Sequence, residues 1–582
     1  MKHKTTGLGA LAILCSLVAG CGGDNTSAAG TTSNGGAVTS APEMRTTAYG
    51  TIVGVNDANA SGTYYWKGVP FAKPPVGALR WKAPVEPDAW AQPLATQKFG
   101  NACIQNGRVY GPGTNNTYDA TIGTTLNTPV GSEDCLTLNV WRPASDDKDL
   151  PVILFLYGGS NISGYTADPV YDGANLAKAA NAVVVTANYR VGVFGFFNLS
   201  QLKTGANAND DSGNFALLDN VQALKFIQNN IANFGGNKDN VTVMGQSAGA
   251  INVWALLTSP LTNGLMHRAA PLSGGISLAS ELPAGTLPTL NPASAYAAQG
   301  NGLLYNLLIA DGKASDTATA QAYVATQTPA QIADYMRSRD PKTILTTVLS
   351  KGLNSSGPIP DGAVLPTDPV AAIAAGNYRK IPVLASNTAE EGKLFQALFP
   401  LLPAHKPGFI ISDATRFALM MNYKPDAAPA VSLSDLIDSS YLPPDTPTTG
   451  YNATAAYFTN NFFGASRDNV LNTLRGQQSN VWYYQFNWAQ EPAPWNVVYG
   501  AAHAFDLPFI FRNFGPSLFS NVANSTANQP GRLELSDAMM ASIAAFAKNG
   551  NPNNPTLGVS WQPWPQKLIF DASLTKRQIS TQ

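Results

Sequence analysis

A serine flanked by glycines, each two residues away, stands in the stretch VTVMGQSAGAINVWALL, residues 241 to 257. A serine hydroxyl becomes a nucleophile when a nearby base takes its proton and donors await the oxyanion created by its attack. Ser247 has the G-x-S-x-G spacing for that chemistry. The same spacing suits a small residue in an ordinary turn, and a chain with 52 glycines among 582 residues can produce it by chance. Both readings stand until the surrounding elements are considered.

Those elements favour the nucleophile. VTVM reads as a short buried strand, GQSAG as a turn, and AINVWALL as a helix with Ala250, Trp254 and Leu257 on one side. A serine forced into so sharp a turn exposes its Oγ above a sheet, beside free N–H groups of a helix start. Upstream, LTLNVW (136 to 141), VILFLY (152 to 157) and AVVVTANY (182 to 189) are apolar runs bounded by turn residues, as is IPVLAS (381 to 386) downstream. Such runs suit strands covered on both faces. In the segment NFALLDNVQALKFIQNNIANFGG, Leu217, Val221, Leu224, Ile227 and Ile231 recur at helical spacing, and Gly235 and Gly236 end the helix. Strand, helix, strand, with Ser247 at a strand's carboxyl end, describes a doubly wound α/β sheet. GTIVGV and TYYWKGVPFA read as leading strands, and VWYYQFNW (481 to 488) as a late one.

Length alone would favour two or more domains, yet a large α/β sheet with long insertions can hold such a chain around one core. Charged residues make up 13% and the formal net charge is −1, which removes the electrostatic footprint of a nucleic-acid partner. No period of 20 to 50 residues suggests a solenoid or propeller.

The start, MKHKTTGLGALAILCSLVAGC, has Lys2 and Lys4 before an apolar run and then small residues, the form of an export signal over residues 1–20. VAGC is similar to a bacterial lipobox, which implies cleavage before Cys21 and lipidation of that cysteine. Simple signal cleavage, leaving Cys21 as a thiol, is the other reading. Gly22 follows Cys21 and, by resemblance to lipoprotein sorting signals, directs the protein to the outer membrane where the source has one. Without the lipid anchor it would be periplasmic or secreted. Residues 21–43, rich in Gly, Ser, Thr and Ala, read as a flexible tether, and 44–582 as the folded domain. Of the four cysteines, Cys103 and Cys135 remain in that domain. An even pair in an exported protein reads as a disulfide, with two buried free thiols as the alternative.

Longer motifs resemble the type-B carboxylesterases, an α/β-hydrolase family that includes the cholinesterases. FGGNKDNVTVMGQSAG (234 to 249) is similar to the family's active-site signature and EDCLTLNVWRP (133 to 143) to its second signature. KGVPFAKPPVGALRW, ANYRVGVFGFF and FAKNGNPNNP resemble further landmarks in the same order, so the likeness runs from about residue 48 to about 570. The resemblance implies an α/β-hydrolase fold: a large, mostly parallel central sheet flanked by helices, with long loop insertions.

It also implies roles. His503, in YGAAHAFDLPFIF, resembles the family's catalytic base, while His267 and His405 read as packing and loop residues. In SNTAEEGKLF the acid stands directly before the glycine, so Glu391 orients His503, with Glu390 the less favoured candidate. The loop YGGSNISG (157 to 164) takes the oxyanion position, giving Gly159, Ser160 and Ala248 as N–H donors. Ser160 departs from the usual residue, its Cβ narrowing the site, and Gln246 departs from the family's acid. Arg80 with Glu133, and Arg190 with Asp219, take the positions of scaffold ion pairs.

The activity implied is two-step hydrolysis of a small-molecule carboxylic ester, with no metal and no organic cofactor. Cholinesterases hold a quaternary ammonium on a tryptophan inside the matching disulfide loop, but residues 103 to 135 contain no Trp. A general carboxylesterase for short-chain or aromatic esters is therefore expected. A lipase, an amide or carbamate hydrolase, and a catalytically silent binding module are the rivals.

Overall fold

The structure, a computed structural model, describes residues 41–353, 356–402 and 412–582. The signal segment, Cys21, the tether up to residue 40 and His405 lie outside the described residues. Pro42–Gln582 cluster as one unit.

Its backbone is a sheet of eleven strands. In chain order these are β1 (Val55–Asp57), β2 (Thr63–Pro70), β3 (Thr137–Pro143), β4 (Leu150–Leu156), β5 (Val183–Ala187) and β6 (Gly236–Gln246). They continue as β7 (Arg268–Leu272), β8 (Val383–Thr388), β9 (Val481–Phe486), β10 (Leu568–Ala572) and β11 (Arg577–Thr581). Across the sheet the order is β1-β2-β3-β5-β4-β6-β7-β8-β9-β10-β11. From β5 to β10 the neighbours run parallel, and both edges are antiparallel. Every residue of VVVTA in β5 is buried, as expected of β-branched runs sandwiched between helices. The mostly parallel sheet and its flanking helices are those of the α/β-hydrolase fold.

The apolar runs expected as strands are strands. LTLNVW pairs antiparallel to AVVVTANY, because β3 belongs to the leading meander rather than to the crossover units. Towards the carboxyl-terminal side of this sheet, RAAPL, LIFDA and RQIST are strands that were not anticipated. RAAPL in β7 carries an arginine and a proline, both poor strand signals, yet its Pro271 is buried and its neighbours hold it on both sides. LIFDA and RQIST in β10 and β11 close the far edge, and RQIST is largely exposed.

Helix α1 (Phe215–Asn230) buries its apolar stripe and ends, after a short 3-10 turn, at Gly235 with φ +79°. Gly236 already belongs to β6 rather than to the helix stop. Helix α2 (Ala248–Thr258) follows β6 after a single residue, Ser247. A Cβ at Gly249 would collide with the Leu156 carbonyl oxygen, so only glycine lets the start of α2 lie against the end of β4. Helix α3 (Asp413–Met421) belongs to an insertion after β8, and α4 (Gln529–Asn549) covers the sheet. A second apolar cluster joins Trp81, Phe194 and Phe197 to helices around Leu303, Ile332 and Ile344.

Two buried ion pairs anchor loops to this frame. Arg80 grips Glu133 through Nε and Nη2 at 2.6 and 2.7 Å, and Arg190 grips Asp219 at 2.9 and 2.7 Å. Cys103 and Cys135 are joined by a disulfide across a separation of 32 residues. Replacing both by serine is expected to lower stability by roughly 3–4 kcal/mol on the chain-entropy scale, read from denaturant midpoints with and without reductant.

Candidate active site

The chain leaves β4 towards β5 on one side and returns to β6 on the other. Loops after β4 and β6 therefore diverge at the point where strand order reverses, which opens a crevice at the carboxyl ends of the strands. Both loops carry residues expected to do chemistry.

Ser247 occupies the turn between β6 and α2 with φ +59° and ψ −123°. A non-glycine residue there is strained by about 1–3 kcal/mol, a cost the surrounding structure must hold in place. The Ser247 N–H donates to the Leu272 carbonyl of β7 at 2.8 Å, which ties the turn to the neighbouring strand. Ala248 begins α2, so its N–H has no carbonyl four residues earlier within the helix and points out of the first turn.

The loop after β4 is fixed at both ends. Tyr157 stacks on Tyr189 with ring centres 4.4 Å apart, and each hydroxyl donates to the other residue's carbonyl at 3.0 and 2.6 Å. At the far end Gln105 accepts from the Gly164 N–H at 2.7 Å and donates to its carbonyl at 2.9 Å. Between them the chain turns back on itself, with the N–H groups of Ile162 and Ser163 donating to Gly159. Gly159 takes φ +115°, a region that excludes side chains, and Ser160 takes φ +56°. Among the described residues, the N–H groups of Gly159 and Ser160 have no protein acceptor. Both residues line the same cavity as Ser247.

His503 and Glu391 come from elsewhere in the chain. Glu391 starts the helical turn after β8, and its Oε1 accepts from the Thr388 N–H at 2.9 Å and the Asn387 amide at 3.0 Å. Its Oε2 lies 2.5 Å from His503 Nδ1. Burial alone would push the Glu391 carboxyl up, but the His503 imidazole and the Asn387 amide more than offset it and hold it below the usual glutamate range. An ionised carboxylate only accepts, so Nδ1 carries the proton and Nε2 presents a lone pair. Glu390 faces away. Its carboxylate takes Lys393 at 2.6 Å and the Ala501 N–H at 3.0 Å.

His503 is 2% exposed. Phe395 and Phe463 place their ring centres 5.0 and 4.9 Å from the imidazole, excluding water around it. The Gln246 amide lies 3.2 Å from Nε2 and, given that tautomer, donates to it. Ser247 Oγ, one residue along, has no hydrogen-bond partner among the described residues. The structure thus pairs Glu391 with His503 and brings Ser247 to the same cavity, but the Gln246 amide holds the nitrogen that would accept the serine proton. Such bonds in free enzymes commonly tighten only around substrate.

Three residues after His503, Asp506 is fully buried, with the Tyr484 hydroxyl 3.5 Å from one oxygen. Burial, and after it the Glu391 charge, push its carboxyl up to about 7. An acid whose folded pKa exceeds its unfolded value costs stability as pH rises through the interval between them, here on the order of 4 kcal/mol from about pH 4 to about pH 7. Asp506→Asn is expected to flatten that loss, so its melting temperature should change less between about pH 5 and about pH 8 than that of the wild type.

His267 stands before β7, away from the crevice, and its Nδ1 accepts from the Val241 N–H at 3.2 Å. Residues that the sequence did not single out complete the walls: Phe395, Phe463, Arg108, Arg416 and Phe519. Phe395 ends the stretch SNTAEEGKLF that carries Glu391, and the others lie in loops and insertions without a local motif. The one local hint is the i, i+3 spacing of Asp413 and Arg416 on α3.

Comparison with known proteins agrees with this geometry. Residues 41–579 match the sequence model of the Carboxylesterase family. The chain is 31% identical over 537 residues to para-nitrobenzyl esterase of Bacillus subtilis (strain 168), covering 92% of this chain and 96% of that protein. It is 32% identical over 491 residues to fumonisin B1 esterase of Sphingopyxis macrogoltabida, covering 84% and 79%. Among solved structures, a PNB esterase superimposes with a TM-score of 0.68 at 28% identity, covering 93% of this chain and 97% of that one. A carboxylesterase of Geobacillus stearothermophilus gives 0.66 at 27% identity, with the same coverage. The chain belongs to the carboxylesterase family and is a carboxylic-ester hydrolase.

Proposed function

We propose that Ser247 is the nucleophile, His503 the general base and Glu391 the acid that orients it, with Gly159, Ser160 and Ala248 donating to the oxyanion. The observation that carries this is the 2.5 Å contact of Glu391 with His503 Nδ1, opening onto the cavity that holds the strained Ser247. His503 takes the hydroxyl proton as Ser247 attacks the ester carbonyl, then returns it to the departing alcohol. Water, activated by the same imidazole, releases the acid and frees Ser247.

The substrates proposed are short-chain or aromatic esters. The cavity measures about 260 Å³, just below the ~300–1,000 Å³ usual for small-molecule sites. The name of the relative para-nitrobenzyl esterase supports an aromatic ester. A 4-nitrophenyl ester series from acetate to palmitate tests this: rates should peak at short acyl chains. A rate rising to the longest chain would replace the reading with a lipase, and faster turnover of matched anilides or carbamates with an amidase or carbamate hydrolase.

The proposed setting is the cell envelope. Residues 1–20 act as the export signal, Cys21 carries lipid, and residues 22–43 tether the hydrolase domain to the membrane. What supports this is the charged, apolar and small-residue order of the leader ending in VAGC. Radiolabelled palmitate should enter the wild-type protein and not Cys21→Ser; equal labelling of both would remove the anchor from the proposal.

A further inference from the structure

The active-site cavity carries more positive than negative charge. Its charged lining residues are Arg108, Asp413 and Arg416. Arg416, on α3, is 6% exposed, and its Nε is buried with no hydrogen-bond partner among the described residues. A guanidinium stays charged at every working pH, and its burial is costly unless an anion meets it. Among the described residues Asp413 is the one carboxylate in the lining, and it is shared between Arg416, three residues along α3, and Arg108, which it meets at 3.6 Å across the more exposed rim. One carboxylate against two guanidinium groups leaves a positive charge over. Gln246 adds no negative charge beside the nucleophile. Arg416 makes no hydrogen bond to Ser247, Gln246 or His503, so it addresses a part of the substrate other than the scissile ester. Part of the cavity wall is apolar, with Tyr110 stacked on Phe519 at 4.9 Å and the Tyr110 hydroxyl beside Arg416.

Resting on the reading of Ser247 as an esterase nucleophile, we infer that the substrate is an ester with a free carboxylate, separated from the reacting carbonyl by an apolar spacer and bound by Arg416 with Arg108 at the rim. A carboxylate fits both the planar guanidinium fork and the orphaned Nε. The inference fixes the class of ester and makes Arg416 a specificity residue.

Two matched pairs test it on the full-length protein. One places the charge on the acyl side: mono-4-nitrophenyl adipate against its neutral amide, 4-nitrophenyl adipamate. The other places it on the alcohol side: the butyrate ester of 4-hydroxyphenylacetate against that of 4-hydroxyphenylacetamide. In one pair the wild type should favour the carboxylate by about ten-fold or more in kcat/KM, and Arg416→Gln should reduce that ratio to about two-fold or less, with Arg416→Lys between them. Adipate should inhibit the wild type more strongly than adipamide, a measurement that needs no variant. Arg108→Gln, at the rim, should weaken the same ratio. Turnover of both neutral esters by the wild type with no preference for either carboxylate overturns this inference and leaves the esterase reading intact. Absence of turnover on all four overturns both.

Discussion

Ser247→Ala is expected to lower kcat on 4-nitrophenyl acetate by about 10⁶-fold while leaving affinity for a non-reactive ester analogue nearly unchanged. The loss is large because the hydroxyl forms the covalent bond, and neither base nor acid can act on a substrate without it. What survives is the cavity and the backbone donors of Gly159, Ser160 and Ala248, which still favour the tetrahedral state for attack by water. Stability should barely move, since alanine keeps the Cβ and meets the same φ of +59°. The check is a burst experiment: wild type should release a first equivalent of 4-nitrophenol as the acyl-enzyme forms, and the variant none. A variant retaining a few per cent of the wild-type rate would show that another group performs the attack.

Glu391→Gln is expected to lower kcat by about 10⁴-fold through a tautomer change rather than through lost packing. The partners of the carboxylate set this outcome. Asn387 Nδ2 and the Thr388 N–H both donate to Oε1, so a glutamine there must turn its carbonyl oxygen towards them. Its NH₂ then faces His503 Nδ1, 2.5 Å away in the wild type. Two donors cannot meet, so the imidazole gives up its Nδ1 proton and carries one on Nε2. A protonated Nε2 cannot take a proton from Ser247. The imidazole nitrogen resonances in the NMR spectrum should report the exchanged tautomer. A rate within about ten-fold of wild type would show that Glu391 contributes position without charge, contrary to the tautomer argument.

How much of this was legible in the sequence depends on how local each signal is. β6, the turn at Ser247 and α2 are contiguous, so hydrophobic period, glycine spacing and helix start point the same way. The loop at Gly159 and the turn at Glu391 follow strands directly, and the resemblance of their motifs to the family's gave them their roles. RAAPL escaped because its strand character comes from β6 and β8 on either side, not from its own residues. Arg416 and Phe463 escaped for the same reason on a larger scale: they sit in insertions whose distance from Ser247 is set by packing. The contact of Gln246 with His503 was also invisible. The sequence marks Gln246 as a missing charge, and only the fold shows that its amide meets His503 Nε2, the nitrogen proposed to take the Ser247 proton.

The proposed nucleophile, acid and base stand at positions 247, 391 and 503, each at the end of a segment that must find its strand neighbour across long stretches of chain. Closing loops of that size carries an entropy cost before any contact rewards it, which makes late assembly of such sites the slow part of folding. A nascent chain stopped anywhere before residue 503 therefore has an exposed hydroxyl and no imidazole to activate it. On the proposed roles, hydrolysis switches on only when the carboxyl-terminal segment that carries His503 has docked, so the return of enzyme activity during refolding reports that docking.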